Sequence, residues 1–183
     1  MDRRQFLAAS GLGVIAHQVG ATNLLLSPRA AHALSVPYRV LAAAEVQAVE
    51  ALGDTLLPGA ADAGLAHYLD HHLAAAPADS LLMIRYLDVP PPYMQFYRPC
   101  LASVDSATLK LHGKPFAKLE PKAKDGFVAA MQAGTLVDWI GPPAPMCYFV
   151  LRADAVDVVY GTPEGFAKLG VPYMQHIMPA TNW

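Results

Sequence analysis

The stretch that best indicates the fold is DAGLAHYLDHHL, at residues 62–73. Its apolar side chains recur at intervals of three and four residues, which places them along one side of an α-helix. Asp62 precedes this stripe and can accept hydrogen bonds from the free backbone N–H groups of a first helical turn. The stretch therefore predicts a helix capped by Asp62, with a stripe formed by Leu65, Tyr68, Leu69, His72 and Leu73.

Much of the remaining chain has the same helical period. Residues 42–57 form a second stripe, which ends at Pro58-Gly59 because proline lacks a backbone donor and glycine tolerates left-handed dihedrals. Further helices are predicted at residues 79–87, 93–111, 121–132 and 145–160. Residues 146–160 carry few charges and are predicted to form the central buried helix. The predicted fold class is mostly α, a compact irregular helical domain preceded by an export signal.

The composition limits the kinds of protein that this chain can be. It has 183 residues, of which 54% are hydrophobic and 15% are charged, so an intrinsically disordered protein is excluded. The formal net charge is −2 and no run of Lys or Arg occurs, so no nucleic-acid partner is expected. Cys100 and Cys147 are too few for a disulfide scaffold. They either pair in an oxidising compartment or remain as two buried thiols.

The first 33 residues are interpreted as a twin-arginine (Tat) export signal. Two adjacent arginines are followed by Phe-Leu and a weakly apolar segment, the arrangement of such a leader. Further on, two alanines separated by one residue stand where a signal peptidase reads small side chains, which predicts cleavage before Leu34. The predicted organisation is a signal at 1–33 and a helical domain at 34–183. The signal residues are Arg3, Arg4, Phe6, Leu7, Ala31 and Ala33.

Two other interpretations of this N-terminal segment were weighed. A membrane-spanning helix needs about 20 mostly apolar residues, but charges precede this segment and polar residues interrupt it between His17 and Asn23. A membrane anchor that is never removed stays an alternative. The sequence GLGVIA at residues 11–16 fits a dinucleotide-binding pattern, but no strand precedes it, so a nucleotide site is rejected.

Candidate chemistry is sparse and centres on residues 67–71. His67 and His71 are spaced i, i+4 and Asp70 is adjacent, a geometry that a zinc ion can accept. A third ligand at suitable spacing is not evident, and Tyr68 occupies the position of the general base in H-E-x-x-H enzymes. The weak metal candidate is therefore His67, Asp70 and His71, and the alternative is a solvated polar face. No phosphate loop, nucleophile elbow or C-x-x-C pair is present in the sequence. His72 is interpreted as a core histidine.

Aromatic and methionine side chains are concentrated in the second half of the chain. Such residues are enriched in protein–protein interfaces. Phe149 and Tyr160 are predicted to complete the core instead. The predicted partner interface consists of Tyr93, Phe96, Tyr97, Tyr173, Met174, His176 and Trp183.

Several short motifs, in order, resemble the gluconate 2-dehydrogenase subunit 3 family. The segments LAAAE (41–45) and ALGDTLLPG (51–59) are similar to its opening helix, and AGLAHYLD (63–70) is similar to the next one. FAKL (116–119) precedes a helix, as in the family, and the resemblance covers most of residues 40–179. Near the end, Thr162-Pro163 replaces the usual Gly-Asn, which suggests a subgroup whose partner need not oxidise gluconate. The resemblance extends to relatives that occur beside flavoproteins oxidising glucose or the 3-hydroxyl of glucosides.

The resemblance implies a small accessory subunit with no cofactor of its own. Its expected partner is a large FAD-dependent dehydrogenase of the glucose-methanol-choline class, and haem would be in a cytochrome c subunit. The Tat translocase would export both proteins folded, and the complex would lie in the periplasm at the inner membrane. In this expectation the chain is a non-catalytic small subunit that stabilises a sugar or polyol dehydrogenase and carries it through export. The alternatives are an independent periplasmic metal-dependent enzyme and a membrane-anchored scaffold.

Overall fold

A computed structural model describes residues 15–19 and 22–172, with side chains from residue 25 onward. The mostly helical fold class is confirmed. A short antiparallel pair of strands, β1 (Ile15–Val19) and β2 (Thr22–Leu26), precedes the helices. The predicted signal residues Arg3, Arg4, Phe6 and Leu7 lie outside the described residues. The described α-helices are α1 (Pro28–Ala33), α2 (Ala43–Leu56), α3 (Leu65–Ala74), α4 (Met94–His112), α5 (Pro121–Ala133), α6 (Ala144–Tyr160) and α7 (Pro163–Lys168).

The core lies where α2, α3, α4 and α6 meet. Leu52, Leu69, Tyr97 and Leu151 supply large, fully buried side chains, one from each of these helices. Helix α5 covers α2 and α6 from outside and contributes Phe127 and Met131. Burial of these apolar side chains is the main source of the stability of the fold.

A disulfide joins two of the core helices. Cys100 of α4 and Cys147 of α6 are both fully buried, with Cα atoms 6.0 Å apart. This distance lies within the ordinary range for a disulfide. Of the two alternatives left open by the sequence, the structure has the paired one.

Helix α3 is enclosed on nearly all sides. Every residue from Leu65 to Asp70 is buried, and so is His72. The interpretation of His67 and Asp70 as part of a solvated polar face is therefore wrong, because α1 and the segment at residues 36–41 cover that side of the helix. His72 is a buried histidine, as predicted, and its Nδ1 accepts a hydrogen bond from the backbone N–H of Leu81.

The predicted start of α3 is also wrong. The residue before the helix is Gly64, at φ +86°, and Asp62 is exposed and makes no capping bond to α3. The chain enters α3 through tight turns in which Ala63 N–H donates to Gly59 O and Leu65 N–H donates to Ala60 O. These turns use the backbone groups that Asp62 was expected to satisfy.

The helix predicted at residues 79–87 does not form. The chain makes two short 3₁₀ turns there, Pro77–Asp79 and Met83–Leu87. The backbone N–H of Leu81 donates to His72, and that of Met83 donates to Asp154. Buried side chains of α3 and α6 thus take the hydrogen bonds that a helix would have used. The other helices lie within about two residues of their predicted bounds, the margin expected of helix ends.

Among the described residues, no helix has both the length and the apolar character needed to span a membrane.

Candidate functional site

Two of the three residues of the weak metal candidate, His67 and Asp70, bind the protein's own backbone. His67 Nε2 donates to the carbonyl oxygen of Val36 over 2.9 Å. Both carboxylate oxygens of Asp70 accept bonds from the N–H groups of consecutive residues: Oδ2 from Arg39 at 2.8 Å, and Oδ1 from Val40 and Leu41 at 2.9 Å. Asp70 therefore fixes the chain segment that leads into α2.

Burial also determines the charge of the histidines on α3. Desolvation lowers the pKa of His67, and it lowers the pKa of His72 to about 4, with a further contribution from the neighbouring His71. Both rings are neutral near pH 7. Within the part of the chain that the structure describes, no group of three or more His, Cys, Asp or Glu side chains is placed to hold a metal ion. The geometry does not favour the metal-dependent alternative.

The structure brings together a second polar group, one that sequence reasoning missed. Asp154 of α6 is 0% exposed and accepts bonds from the hydroxyl of Tyr97, at 2.6 Å, and from the N–H of Met83, at 2.8 Å. Burial raises the pKa of Asp154 to about 7 and raises that of Tyr97 well above its ordinary value. The available signal was a carboxylate within the apolar helix at residues 146–160, which must bond to something when it is buried. This group joins α4, α6 and the 3₁₀ turn at Met83–Leu87.

A cavity with a volume of about 290 Å³ lies between α1, α3, α6 and α7. Tyr68, Asp157 and Thr162 supply polar groups to its wall, and Ser27 and Arg29 line the side formed by α1. The Tyr68 hydroxyl already donates to Leu81 O at 3.1 Å, and burial raises the pKa of Asp157.

Part of the predicted partner interface is wrong. Tyr93, Phe96 and Tyr97 lie in the core, with exposures of 9%, 6% and 0%. They are buried because the N-terminal half of α4 packs into the domain, where Tyr97 also bonds to Asp154. The remaining predicted interface residues, Tyr173, Met174, His176 and Trp183, lie outside the described part of the chain.

Several large apolar side chains elsewhere in the described chain are exposed to solvent. Phe149 is 51% exposed, so its prediction as a core residue is wrong, whereas Tyr160 is half-buried against the core. The most exposed large apolar residues are Ile140 and Val137, in the loop before α6. The hydroxyl of Ser103 in α4 donates to the carbonyl oxygen of Ile140 in this loop, and an exposed ion pair of 3.8 Å joins Lys110 to Asp138. We call the two exposed apolar side chains of this loop, Val137 and Ile140, the loop surface.

Comparison with known proteins matches the sequence to one protein family. The model of the family described as gluconate 2-dehydrogenase subunit 3 matches residues 43–179. The match begins with α2 and includes all the helices of the core, whereas α1 precedes it. No curated protein and no solved structure matches the sequence significantly.

Proposed function

Since the chain belongs to the gluconate 2-dehydrogenase subunit 3 family, we propose that it is the non-catalytic small subunit of an FAD-dependent sugar or polyol dehydrogenase. It binds and stabilises a large flavoprotein of the glucose-methanol-choline class and carries it through Tat export. The family match over residues 43–179 is the observation that carries this proposal, because it makes the chain an accessory subunit of a multi-subunit dehydrogenase complex. The flavin subunit performs the hydride chemistry, and a cytochrome c subunit receives the electrons.

The use of the polar side chains supports an accessory role. Asp70 and His67 bond to the backbone of residues 36–41, and Asp154 bonds to Tyr97 and to the backbone at Met83. Side chains engaged in this way cannot reach a substrate without breaking the fold. The chemistry of the complex therefore belongs to the partner.

The disulfide supports a location outside the cytoplasm. Disulfides persist in oxidising compartments, such as the bacterial periplasm, and are rare in the cytosol. The Cys100–Cys147 bond thus agrees with the export that Arg3 and Arg4 predict. Tat export suits a partner that must bind FAD before it leaves the cytoplasm, since the pathway moves folded proteins.

The loop surface is the part of the described chain that we assign to the flavoprotein. Val137 and Ile140 are 69% and 74% exposed, on a loop that is joined to α4 by the bond from the Ser103 hydroxyl to the carbonyl oxygen of Ile140. Two large, strongly exposed apolar side chains on one short loop, in a chain whose family implies membership of a complex, favour a subunit interface. The large dehydrogenase subunit is the occupant that family membership implies.

Co-purification tests the proposal directly. The tagged full chain, recovered from its own organism, should bring with it a large subunit with a flavin absorption spectrum, and dehydrogenase activity should depend on that subunit. Removal of the large subunit should abolish activity. Turnover of a sugar by the isolated small chain would overturn the proposal.

A matched pair of variants tests the interface. Ile140→Asp places a charge in the loop surface and should weaken the complex by tenfold or more, because an interface core excludes unpaired charge. Tyr86→Asp is the control, since Tyr86 is similarly exposed, at 62%, but lies on the 3₁₀ turn at Met83–Leu87. Equal affinities of both variants for the large subunit would remove the loop surface from the interface.

A further inference from the structure

Residues 27–33, the last part of the segment predicted to be cut away by signal peptidase, are an integral part of the folded domain. Helix α1 begins after Ser27, whose Oγ accepts a hydrogen bond from the N–H of Ala30 at 3.1 Å. Pro28 is buried, and Ala31 is 0% exposed. One of the two alanines that predict cleavage before Leu34 is therefore inside the protein.

The backbone of α1 lies directly against the start of α3. Gly64 has φ +86°, and a Cβ atom at this position would come within 2.1 Å of the carbonyl oxygen of Pro28 and 2.8 Å of the backbone nitrogen of Arg29. Such an approach is open to glycine alone. This contact fixes α1 to the helix at the centre of the fold.

The chain after α1 is fixed as well. The N–H groups of Leu34 and Val36 donate to the carbonyls of Ala30 and Ala31, both at 3.0 Å. Val36 is 3% exposed, and its carbonyl accepts the bond from His67. The peptide bond between residues 33 and 34 thus lies in a hydrogen-bonded turn between two buried residues.

A peptidase cuts chain that is exposed and free to extend, and cleavage of a folded segment follows the population of its open form. In Tat export the chain is already folded when it meets signal peptidase. Ala33 and Leu34 are exposed, but Ala31 is buried and the backbone around them is hydrogen-bonded. We propose that folding thereby keeps the Ala31-His32-Ala33 sequence from entering the peptidase in extended form, so that residues 27–33 remain in the exported protein. This proposal rests on the export step of the proposed function. Whether α1 is docked on the domain can be measured in the purified protein, without export.

The first experiment determines the N-terminus of the exported protein. The full chain is co-expressed with its large subunit, and the exported fraction is analysed by intact mass and by peptide mapping. Peptides that cover residues 27–33 should be present in every exported molecule. An N-terminus at Leu34 would overturn the proposal. A chain that stays in the cytoplasm would instead count against the proposed export, and hydrogen exchange on the purified full chain would then decide.

Hydrogen exchange measures whether α1 is docked. The amides of Ala31, Leu34 and Val36 should exchange at least about 100-fold more slowly than in an unstructured chain, as the amides of stable helices do. Exchange at the unstructured rate would mean that the cleavage sequence is open in the folded protein, which contradicts the proposal.

Two glycine variants separate docking from backbone strain. Gly64→Ala and Gly59→Ala both place alanine at positive φ, but only the first adds a clash with Pro28, because nothing lies within 4 Å of a Cβ atom at Gly59. Gly64→Ala should speed exchange of the Ala31 and Val36 amides by at least about tenfold relative to Gly59→Ala, a measure of local opening. Equal rates in the two variants would refute the docking argument.

A second pair gives the same comparison if Gly64→Ala does not fold. Ala31→Leu enlarges a fully buried side chain, whereas Ala33→Leu enlarges an exposed one. Only the first should speed exchange at Leu34 and Val36, because a filled site cannot accept the larger side chain without displacing the helix. Slow exchange in both variants would show that α1 is not held by the contact described here.

Discussion

The carboxylate of Asp70 should be one of the strongest single contributors to stability. It is 4% exposed, and it accepts hydrogen bonds from the three consecutive N–H groups of Arg39, Val40 and Leu41. Residues 39–42 precede α2 and lie outside the helices and strands. Removal of the carboxylate leaves these donors facing a buried helix.

The size of the effect follows from these contacts. One hydrogen bond to a charged group contributes roughly 1.5–3 kcal/mol. The three bonds do not simply add, since Arg39 is exposed and Val40 is half-buried, so water can reach their N–H groups in a variant. We expect Asp70→Ala to lower the free energy of unfolding by about 3–4 kcal/mol. Asp70→Asn keeps one acceptor oxygen and should lose roughly half of that.

Urea unfolding, followed by circular dichroism at neutral pH, measures these changes. Asp62→Ala is the control, because Asp62 is exposed and does not cap α3. It should change the free energy of unfolding by less than about 0.5 kcal/mol, whereas loss of an N-cap costs about 0.5–2 kcal/mol. A loss below about 1 kcal/mol for Asp70→Ala, or equal losses at both positions, would refute the reasoning.

Three further predictions concern the disulfide, the buried acid and the export signal. Replacement of Cys100 and Cys147 by alanine should lower the free energy of unfolding by about 4 kcal/mol, the chain-entropy value for a loop of this length. Urea unfolding without reductant measures this loss, and an unchanged unfolding midpoint would contradict the prediction. Burial raises the pKa of Asp154 to about 7, against about 3.9 in an unfolded chain. Between these two pH values the folded state binds more protons than the unfolded state, so the free energy of unfolding should fall as the pH rises from about 4 to about 7. Asp154→Asn should remove this fall in the free energy of unfolding with pH. If the free energies of the variant and of the unchanged protein had parallel pH profiles, the pKa of Asp154 would be ordinary and the prediction wrong. Replacement of Arg3 and Arg4 by lysine should leave this chain and its large subunit in the cytoplasm, which cell fractionation checks; continued export of the large subunit would contradict joint transport.

The regular helices could be predicted from sequence because their signals are local. In α2, α4, α5 and α6 the apolar period of the sequence agrees with the packing, and proline or glycine stands near most of their ends. The segment at residues 79–87 has a helical composition but not a helix. Its backbone donors bond to His72 and Asp154, and Asp154 is 71 positions away from Met83. A pairing over that separation leaves no local pattern in the sequence.

The candidate site shows the same limit. The i, i+4 spacing of His67 and His71 correctly places them along one side of a helix, but spacing does not show what covers that side. The covering elements are α1 and the segment at residues 36–41, and the sequence had assigned part of this region to a removable signal. Similarly, the aromatic residues at the start of α4 fit a core and an interface equally well by composition, and only the packing of α4 places Tyr97 inside.

The wrong predictions for the polar residues of α3 and for the segment at residues 79–87 both follow from the enclosure of α3. A helix that is buried on nearly all sides must pair each of its polar side chains inside the protein. The proline- and glycine-rich connections around it have backbone donors and acceptors without regular partners, and these must be satisfied as well. Three polar side chains of α3 meet both requirements at once. Asp70 and His67 bond to backbone groups at residues 36–41, and His72 bonds to the backbone of Leu81. A histidine-rich helix of this kind has the appearance of a metal site in sequence, whereas its polar groups hold the domain together. Under the proposed function, the exposed apolar side chains of the connections contact the partner subunit, and substitution of Ile140, at 74% exposure, is the first test of that contact.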